Sequence, residues 1–117
     1  MQKIELGKIG EALAVNYLKQ KGYQILETNY RNKLGELDVI AYKDKTTIFV
    51  EVKTRTDDHK GMPREAVNYY KKKKLIEVAT VYQKSKGRLD ERCRFDCIEI
   101  MGGEDNYRIE HIENILD

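Results

Sequence analysis

The sequence contains few cysteines and no long apolar segment, and both absences narrow the class of protein. Only two of its 117 residues are cysteine, which is too few for the disulfide framework of a small secreted domain. On a strand, Cys93 and Cys97 would lie about 13 Å apart, beyond bridging distance, so we expect two buried thiols. Apolar runs such as 48–50 are far shorter than the roughly 18 residues that cross a bilayer.

The N-terminus also lacks the apolar block of a signal peptide, since Lys3 and Lys8 stand in a charged segment. We therefore expect a cytoplasmic protein with no membrane segment. A chain of 117 residues matches a single domain spanning 1–117, because folded domains cluster at about 100–150 residues. A core of this size needs neither a disulfide nor a structural metal.

Charge is nearly balanced overall but unevenly distributed along the chain. The 22 Lys and Arg residues and the 20 Asp and Glu residues leave a net charge of only +2. Residues 59–95, however, contain 11 basic and four acidic side chains, whereas residues 96–117 contain one basic and seven acidic ones. The basic segment suggests phosphate contacts, and the acidic patch within 35–58 suggests a divalent cation.

Hydrophobic periodicity predicts two helices and five strands. Apolar residues recur at helical spacing at the N-terminus, and Gly22 stands where a helix C-cap is expected. A second helix is expected to begin at Pro63 and to end at Gly87. Strands are predicted at 23–30, 36–42, 46–53, 92–101 and 107–110. The order α-β-β-β-α-β-β predicts an α/β (α+β) domain with a mixed central sheet flanked by helices.

Four charged residues interrupt two neighbouring strands that are otherwise apolar: Glu36 and Asp38 in one, Glu51 and Lys53 in the other. A hairpin loop at 43–46 would place Asp38 opposite Glu51 and Glu36 opposite Lys53. The Cβ atoms of opposed residues lie about 4.5–5.5 Å apart, so one cation could bind both carboxylates. A loop that is one residue shorter or longer would place a valine opposite Asp38 instead.

The chemistry of this set favours metal-assisted hydrolysis of a phosphodiester. Hard oxygen ligands prefer Mg²⁺ or Mn²⁺, and two carboxylates so close repel each other unless a cation or a proton lies between them. Lys53, two residues beyond Glu51 on the same face, can orient a water molecule and balance charge on a phosphate. The alternative is that Glu-x-Lys forms a solvated strand edge and that Asp38 is a charge near a turn.

The motifs around these residues resemble those of known nucleases. Gly-Glu-Leu-Asp at 35–38 and Phe-Val-Glu-Val-Lys-Thr-Arg at 49–55 resemble the PD-(D/E)xK signature of restriction-endonuclease-like nucleases, with Leu37 in place of the proline. Over nearly its full length the chain is similar to the YraN family of small bacterial proteins. The other matching positions are Gly7, Gly10, Glu11, Ala14, Gly22, Asn29, Gly61, Ala66, Val67, Arg94, Phe95 and Asp96.

This resemblance implies a restriction-endonuclease-like fold with a site on the second and third strands. Archaeal Holliday-junction resolvases are similar in having a helical Glu, an Asp and a Glu-x-Lys. By this resemblance, Asp38, Glu51 and the Val52 carbonyl would be metal ligands. Glu11 would be an auxiliary ligand, and Lys53 would position the water. Similar resolvases are dimers, which implies a homodimer here.

Basic residues after the third strand and in the second helix are candidates for contacts with the DNA backbone. Three lie in or beside the loop that follows the proposed metal site. The others belong to a tetralysine that spreads over about 300° of the helix circumference, so at most two of its side chains can line one groove. The five candidates are Arg55, Lys60, Arg64, Lys71 and Lys74. We interpret Asp96 as a supporting or structural carboxylate outside the catalytic set. We expect His111 to be a surface residue.

The sequence therefore predicts a Mg²⁺- or Mn²⁺-dependent DNA endonuclease that acts on double-stranded or branched DNA in repair or recombination. Two alternatives from other classes are a non-catalytic nucleic-acid-binding module on the same fold and a partner-binding adaptor with a vestigial site. Metal-dependent cutting distinguishes the first from the second, and salt-dependent DNA binding distinguishes the second from the third. A chain this short leaves little room for a separate target-recognition domain.

Overall fold

The computed structural model describes residues 3–55, 69–102 and 106–116. The elements follow the predicted order α-β-β-β-α-β-β, and the strands run slightly further than their predicted ends. The predicted start of the second helix at Pro63 lies outside the described residues. No helix in the described part of the chain is long and apolar enough to span a membrane. The elements are α1 (Lys3–Gln20), β1 (Gln24–Asn32), β2 (Gly35–Lys43), β3 (Thr46–Arg55), α2 (Tyr69–Ser85), β4 (Arg92–Gly102) and β5 (Tyr107–Ile112).

The five strands form one mixed sheet in the order β1-β2-β3-β4-β5. The pairs β1–β2, β2–β3 and β4–β5 are antiparallel, and the pair β3–β4 is parallel. A parallel pair requires a crossover connection, and α2 lies in the connection between β3 and β4. The strand with the highest content of Thr, Ile, Phe and Val is thus the central one, as its composition predicts.

Two apolar clusters show that the helices cover opposite faces of this sheet. Ala14 and Leu18 of α1 belong to the same buried cluster as Val50 of β3. Leu75 of α2 belongs to the other cluster, together with Phe49 of β3. Because neighbouring side chains of a strand point to opposite faces, β3 contributes to both clusters. The odd-numbered residues of β3 therefore face α2, and the even-numbered residues face α1.

A buried carboxylate, Asp96 on β4, connects the α1 side of the sheet to the C-terminal residues. It accepts hydrogen bonds from Arg94 at 2.9 Å and from the Asn114 N–H at 3.2 Å, and it lies 2.7 Å from His111 Nε2. Burial raises the pKa of Asp96, but the hydrogen bonds with His111 and Arg94 outweigh it and hold the pKa below its ordinary value. Our expectation that His111 is a surface residue is wrong, since its side chain is only 9% exposed.

The two cysteines of β4 differ in their burial. Both are free; Cys97 is buried and Cys93 is exposed, so the expectation of two buried thiols is correct only for Cys97. The reason is the position along the strand: the first residues of β4 are exposed, and the continuously buried stretch begins at Asp96.

α1 approaches the sheet very closely at Gly10, the residue before Glu11. A Cβ atom on Gly10 would overlap Thr54 Oγ1 of β3 and lie 3.1 Å from Thr54 Cβ. Gly7, one turn earlier in α1, has nothing within 4 Å of its Cβ position. Packing of α1 against β3 therefore requires glycine at position 10 but not at position 7.

We expect Gly10→Ala to lower the free energy of unfolding by about 1–3 kcal/mol, because the added methyl group must displace Thr54 or the helix. Gly7→Ala is the matched control and should raise it by roughly 0.5–1 kcal/mol, since alanine is favoured over glycine inside a helix. Urea denaturation followed by circular dichroism measures both values. Equal stability of the two variants would contradict the close packing of α1 on β3.

Candidate active site

β2 and β3 pair along only part of their length. Their ladder contains five residue pairs, and it ends at Val39–Val50 in the register that the hairpin loop predicts. Neither the expected Asp38–Glu51 pair nor the expected Glu36–Lys53 pair belongs to this ladder. The prediction of these two pairs is therefore wrong. β3 continues alongside β4 as far as Arg55. β2 and β3 therefore separate at the position of Asp38.

Two irregularities accompany this separation. Asn29 of β1 has a φ of 52°, outside the strand range, and the pair Asn29–Asp38 is absent from the β1–β2 ladder. Leu37 and Val39 would share a face in a regular strand, yet they belong to the clusters on opposite faces of the sheet. The side chains of β2 therefore do not alternate regularly between the two faces of the sheet at Asp38.

The Asp38 side chain takes the place of the missing ladder hydrogen bond. Its Oδ2 accepts a hydrogen bond from the Val52 N–H at 2.8 Å, which satisfies an amide that the separating strands leave unpaired. Burial, with a smaller contribution from the Glu11 and Glu51 carboxylates, raises the pKa of Asp38 from 3.8 to about 6, although the Val52 hydrogen bond opposes this shift. Burial is therefore the main cost of ionising Asp38, and the neighbouring carboxylates add to it.

The two carboxylate oxygens of Glu51 have different surroundings. Lys53 Nζ lies 3.4 Å from Oε1, and Lys71 Nζ of α2 forms an ion pair with the same oxygen. Burial opposes the charge on Lys71, but the hydrogen bond with Glu51 and other interactions outweigh it and raise the pKa of Lys71. The other oxygen, Oε2, is buried, and no residue in the described part of the chain hydrogen-bonds to it. A cation would satisfy this oxygen, which is otherwise costly to bury.

Two further carboxylates lie near Asp38. Glu11 and Asp38 both line a cleft of about 390 Å³ between α1 and the β1–β2 hairpin, so the fold brings the helical glutamate to the site. Glu36 is exposed, and its Oε2 accepts a hydrogen bond from Arg31 Nε at 3.0 Å. The expectation that Glu36 lies opposite Lys53 is therefore wrong, because Glu36 is paired with β1 instead of β3.

Two lysines of the tetralysine segment border a second cleft. Lys71 and Lys74 are one helical turn apart and line a cleft of about 210 Å³ that also includes Asp38 and Glu51. Leu75, the next residue of α2, is buried in the core, which fixes this part of the helix against the sheet. An anion in this cleft would meet both ammonium groups and the carboxylates.

Arg55 is bound by a carboxylate that the sequence-based prediction did not include. Its Nε lies 3.1 Å from Oε2 of Glu99, which is almost fully buried. Glu99 is the parallel-strand neighbour of Lys53. Burial raises the pKa of Glu99, while Arg55 opposes the shift. Its only signal in the sequence is one acidic residue within the apolar segment 97–101. The loop candidates Lys60 and Arg64 lie outside the described residues.

The residues present fit a divalent cation that is held by few protein ligands. Asp38 and Glu51 would supply carboxylate oxygens, and Glu11 and the Val52 carbonyl are further candidates. Within residues 3–55, 69–102 and 106–116, no three His, Cys, Asp or Glu side chains form a ready-made metal cluster. Mg²⁺ is commonly bound by one or two protein carboxylates together with water and substrate phosphate.

Comparison with known proteins identifies the family. The family described as "Uncharacterised protein family UPF0102" matches residues 10–100. A UPF0102 protein of Alkaliphilus oremlandii is 50% identical over 94% of this chain and 96% of its own length. UPF0102 protein TTE1452 of Caldanaerobacter subterraneus is 40% identical over 100% of this chain and 96% of its own length. The chain therefore belongs to the UPF0102 family, which confirms the family expected from its motifs.

A solved structure also matches. The crystal structure of SSO0001 covers 96% of this chain and 52% of that protein, with 19% sequence identity and a TM-score of 0.43. The UPF0102 match includes both strand motifs together with Gly10 and Glu11.

In the metal-free protein we expect Asp38→Asn to raise the free energy of unfolding by about 1–2 kcal/mol at about pH 8. The raised pKa of about 6 means that ionised Asp38 is less stable in the folded state than in the unfolded state. Protonated Asp38, in contrast, is favoured in the folded state. The stability that it contributes is fully present below the ordinary pKa of 3.8 and is lost as the pH rises through about 6. The amide oxygen can still accept the Val52 hydrogen bond.

Urea denaturation in EDTA measures this gain, which should shrink as the pH is lowered from about 8 to about 5. Asp44→Asn, in the exposed β2–β3 turn, is the matched control for the removal of a carboxylate charge. An Asp38→Asn variant less stable than the wild type at the higher pH would contradict the cost of burying ionised Asp38.

Proposed function

We propose that this protein is a metal-dependent DNA endonuclease that hydrolyses phosphodiester bonds with Mg²⁺ or Mn²⁺ as its cofactor. The observation that carries the proposal is the Glu51 carboxylate. One of its oxygens contacts two ammonium groups, and the other is buried with no hydrogen-bond partner in the described part of the chain. Such a group beside Asp38 is costly unless a cation joins the two carboxylates.

We assign a role to each of these residues from its position. Asp38 and Glu51 would hold the cation, with Glu11 and the Val52 carbonyl as further candidates. When bound, the cation supplies Lewis-acid stabilisation to the scissile phosphate. Lys53 Nζ, held 3.4 Å from Glu51, can donate a hydrogen bond to the attacking water and balance charge that develops on the phosphate.

The substrate that we propose is double-stranded or branched DNA. Lys71 and Lys74 border the cleft that contains Asp38 and Glu51, so one phosphate could contact basic groups while it lies near the carboxylates. The resemblance to Holliday-junction resolvases supports branched DNA and a homodimer, because two symmetric sites match a symmetric junction. We therefore propose a role in repair or recombination in the cytoplasm.

The second candidate is a nucleic-acid-binding module without catalysis. It is favoured by the double neutralisation of Glu51, since Lys53 and Lys71 both contact Oε1 and balance charge without a metal. Such a module would bind DNA with a strong dependence on salt concentration and leave it intact.

Cleavage of linear, nicked, flap and four-way-junction DNA with Mg²⁺ or Mn²⁺ tests the proposal. We expect cutting that EDTA abolishes, and we expect Asp38→Asn and Glu51→Gln to lower kcat by at least about 100-fold while DNA binding is retained. Asp44→Asn is the matched control, because Asp44 is exposed in the β2–β3 turn, at the far end of the same hairpin. This control should cut at a rate close to that of the wild type.

Three outcomes separate the candidate functions. Loss of cutting in the two carboxylate variants but not in the control supports the endonuclease. Intact DNA on every substrate refutes it, and salt-dependent binding in that case selects the binding module. A protein that neither cuts nor binds DNA would be a partner-binding adaptor.

A further inference from the structure

Lys71 reaches the site from α2, whereas Glu51 and Lys53 belong to the sheet. Its Nζ forms an ion pair with Glu51 Oε1, the same oxygen that Lys53 contacts at 3.4 Å. The Lys71 side chain is 34% exposed, compared with 22% for Lys53 and 14% for Glu51. Lys71 therefore has the most direct access to solvent of the three groups.

The backbone of Lys71 is held in place by the core beneath α2. Leu75 and Val78, one and two turns further along the helix, are buried in the cluster that contains Phe49. Removing the ammonium group from Glu51 therefore requires only rotations within the flexible four-carbon side chain. Lys53 extends from the central strand, where Glu51 and Glu99 flank it.

The charge at Glu51 can be balanced in two ways. Without a metal, the charges of Lys53 and Lys71 match those of Asp38 and Glu51. A divalent cation bound by both carboxylates would supply the same two positive charges, and it would repel the ammonium groups. The cation therefore weakens the attraction of both ammonium groups to Glu51. Lys71 is the more exposed of the two lysines, so it is the one that can leave.

We propose that Lys71 is an exchangeable counter-ion of the metal site. It occupies Glu51 when the divalent cation is absent, and it competes with the cation for that carboxylate. Once the cation is bound, Lys71 turns to a phosphate of the DNA backbone, which needs a basic partner in the same cleft. This last step rests on the proposed function, whereas the competition with the cation does not.

Titration of the DNA-free protein with Mn²⁺ by isothermal calorimetry tests the competition. We expect Lys71→Gln to bind Mn²⁺ about three- to tenfold more tightly than the wild type, because the cation no longer displaces an ammonium group. Lys73→Gln removes the same charge from an exposed position of α2 and should change the affinity by less than about twofold. Unchanged affinity in Lys71→Gln, an equal gain in both variants, or no Mn²⁺ binding at all would overturn the proposal.

A second measurement needs no variant. The rate at which acetic anhydride labels each lysine, read by mass spectrometry, reports the accessibility of its amine. Addition of Mg²⁺ should increase the labelling rate of Lys71 several-fold and leave that of Lys73 unchanged, because only Lys71 is released from Glu51. A Lys71 rate that does not respond to Mg²⁺ would overturn the exchange.

The movement of Lys71 to a DNA phosphate is tested separately. Ca²⁺ is present in this experiment to occupy the site as the divalent cation. The slope of DNA affinity against salt concentration, from fluorescence anisotropy, should fall by about one phosphate contact in Lys71→Gln. A slope equal to that of the wild type would overturn this step. If the wild-type protein cuts no DNA, the endonuclease is refuted, but the Mn²⁺ titration still decides the exchange at Glu51.

Discussion

The separation of β2 from β3 is the constraint on which the candidate site depends. As far as Val39–Val50 the two strands satisfy each other's backbone groups, and beyond that pair the Val52 amide donates to the Asp38 carboxylate at 2.8 Å. One side chain thus completes the backbone hydrogen bonding at the end of the ladder and remains near Glu51. This hydrogen bond offsets part of the cost of burying Asp38, whose pKa is nevertheless raised to about 6.

The two helices bring opposite charges to this opening from opposite faces of the sheet. α1 packs closely through Gly10, and the next residue, Glu11, shares a cleft with Asp38. α2 is anchored by its buried residues and places Lys71 on Glu51. The charge of the site is therefore set by three layers of the fold, and either a cation or an ammonium group can balance its carboxylates.

Local patterns were sufficient to predict the elements, their order and the β2–β3 register, because these depend on periodicity and loop length. The motifs were sufficient to recognise the family. The prediction was wrong where it continued the regular β2–β3 pairing from Val39 toward the N-terminus of β2. That pairing would place Glu36 opposite Lys53, but Glu36 pairs with Arg31. The break in alternation at Asp38 lies opposite Asn29 of the neighbouring strand, whose positive φ no pattern in β2 encodes.

The sequence by itself determined which chemical groups the site could contain, and it determined that Glu51 and Lys53 share a face of β3. This follows from the two-residue period of a strand. Only the tertiary structure decided what these groups contact: Lys71 binds the same oxygen of Glu51 as Lys53, and Glu99 binds Arg55. The period of a strand gives the direction of a side chain, but its partners depend on how separate helices and strands pack together.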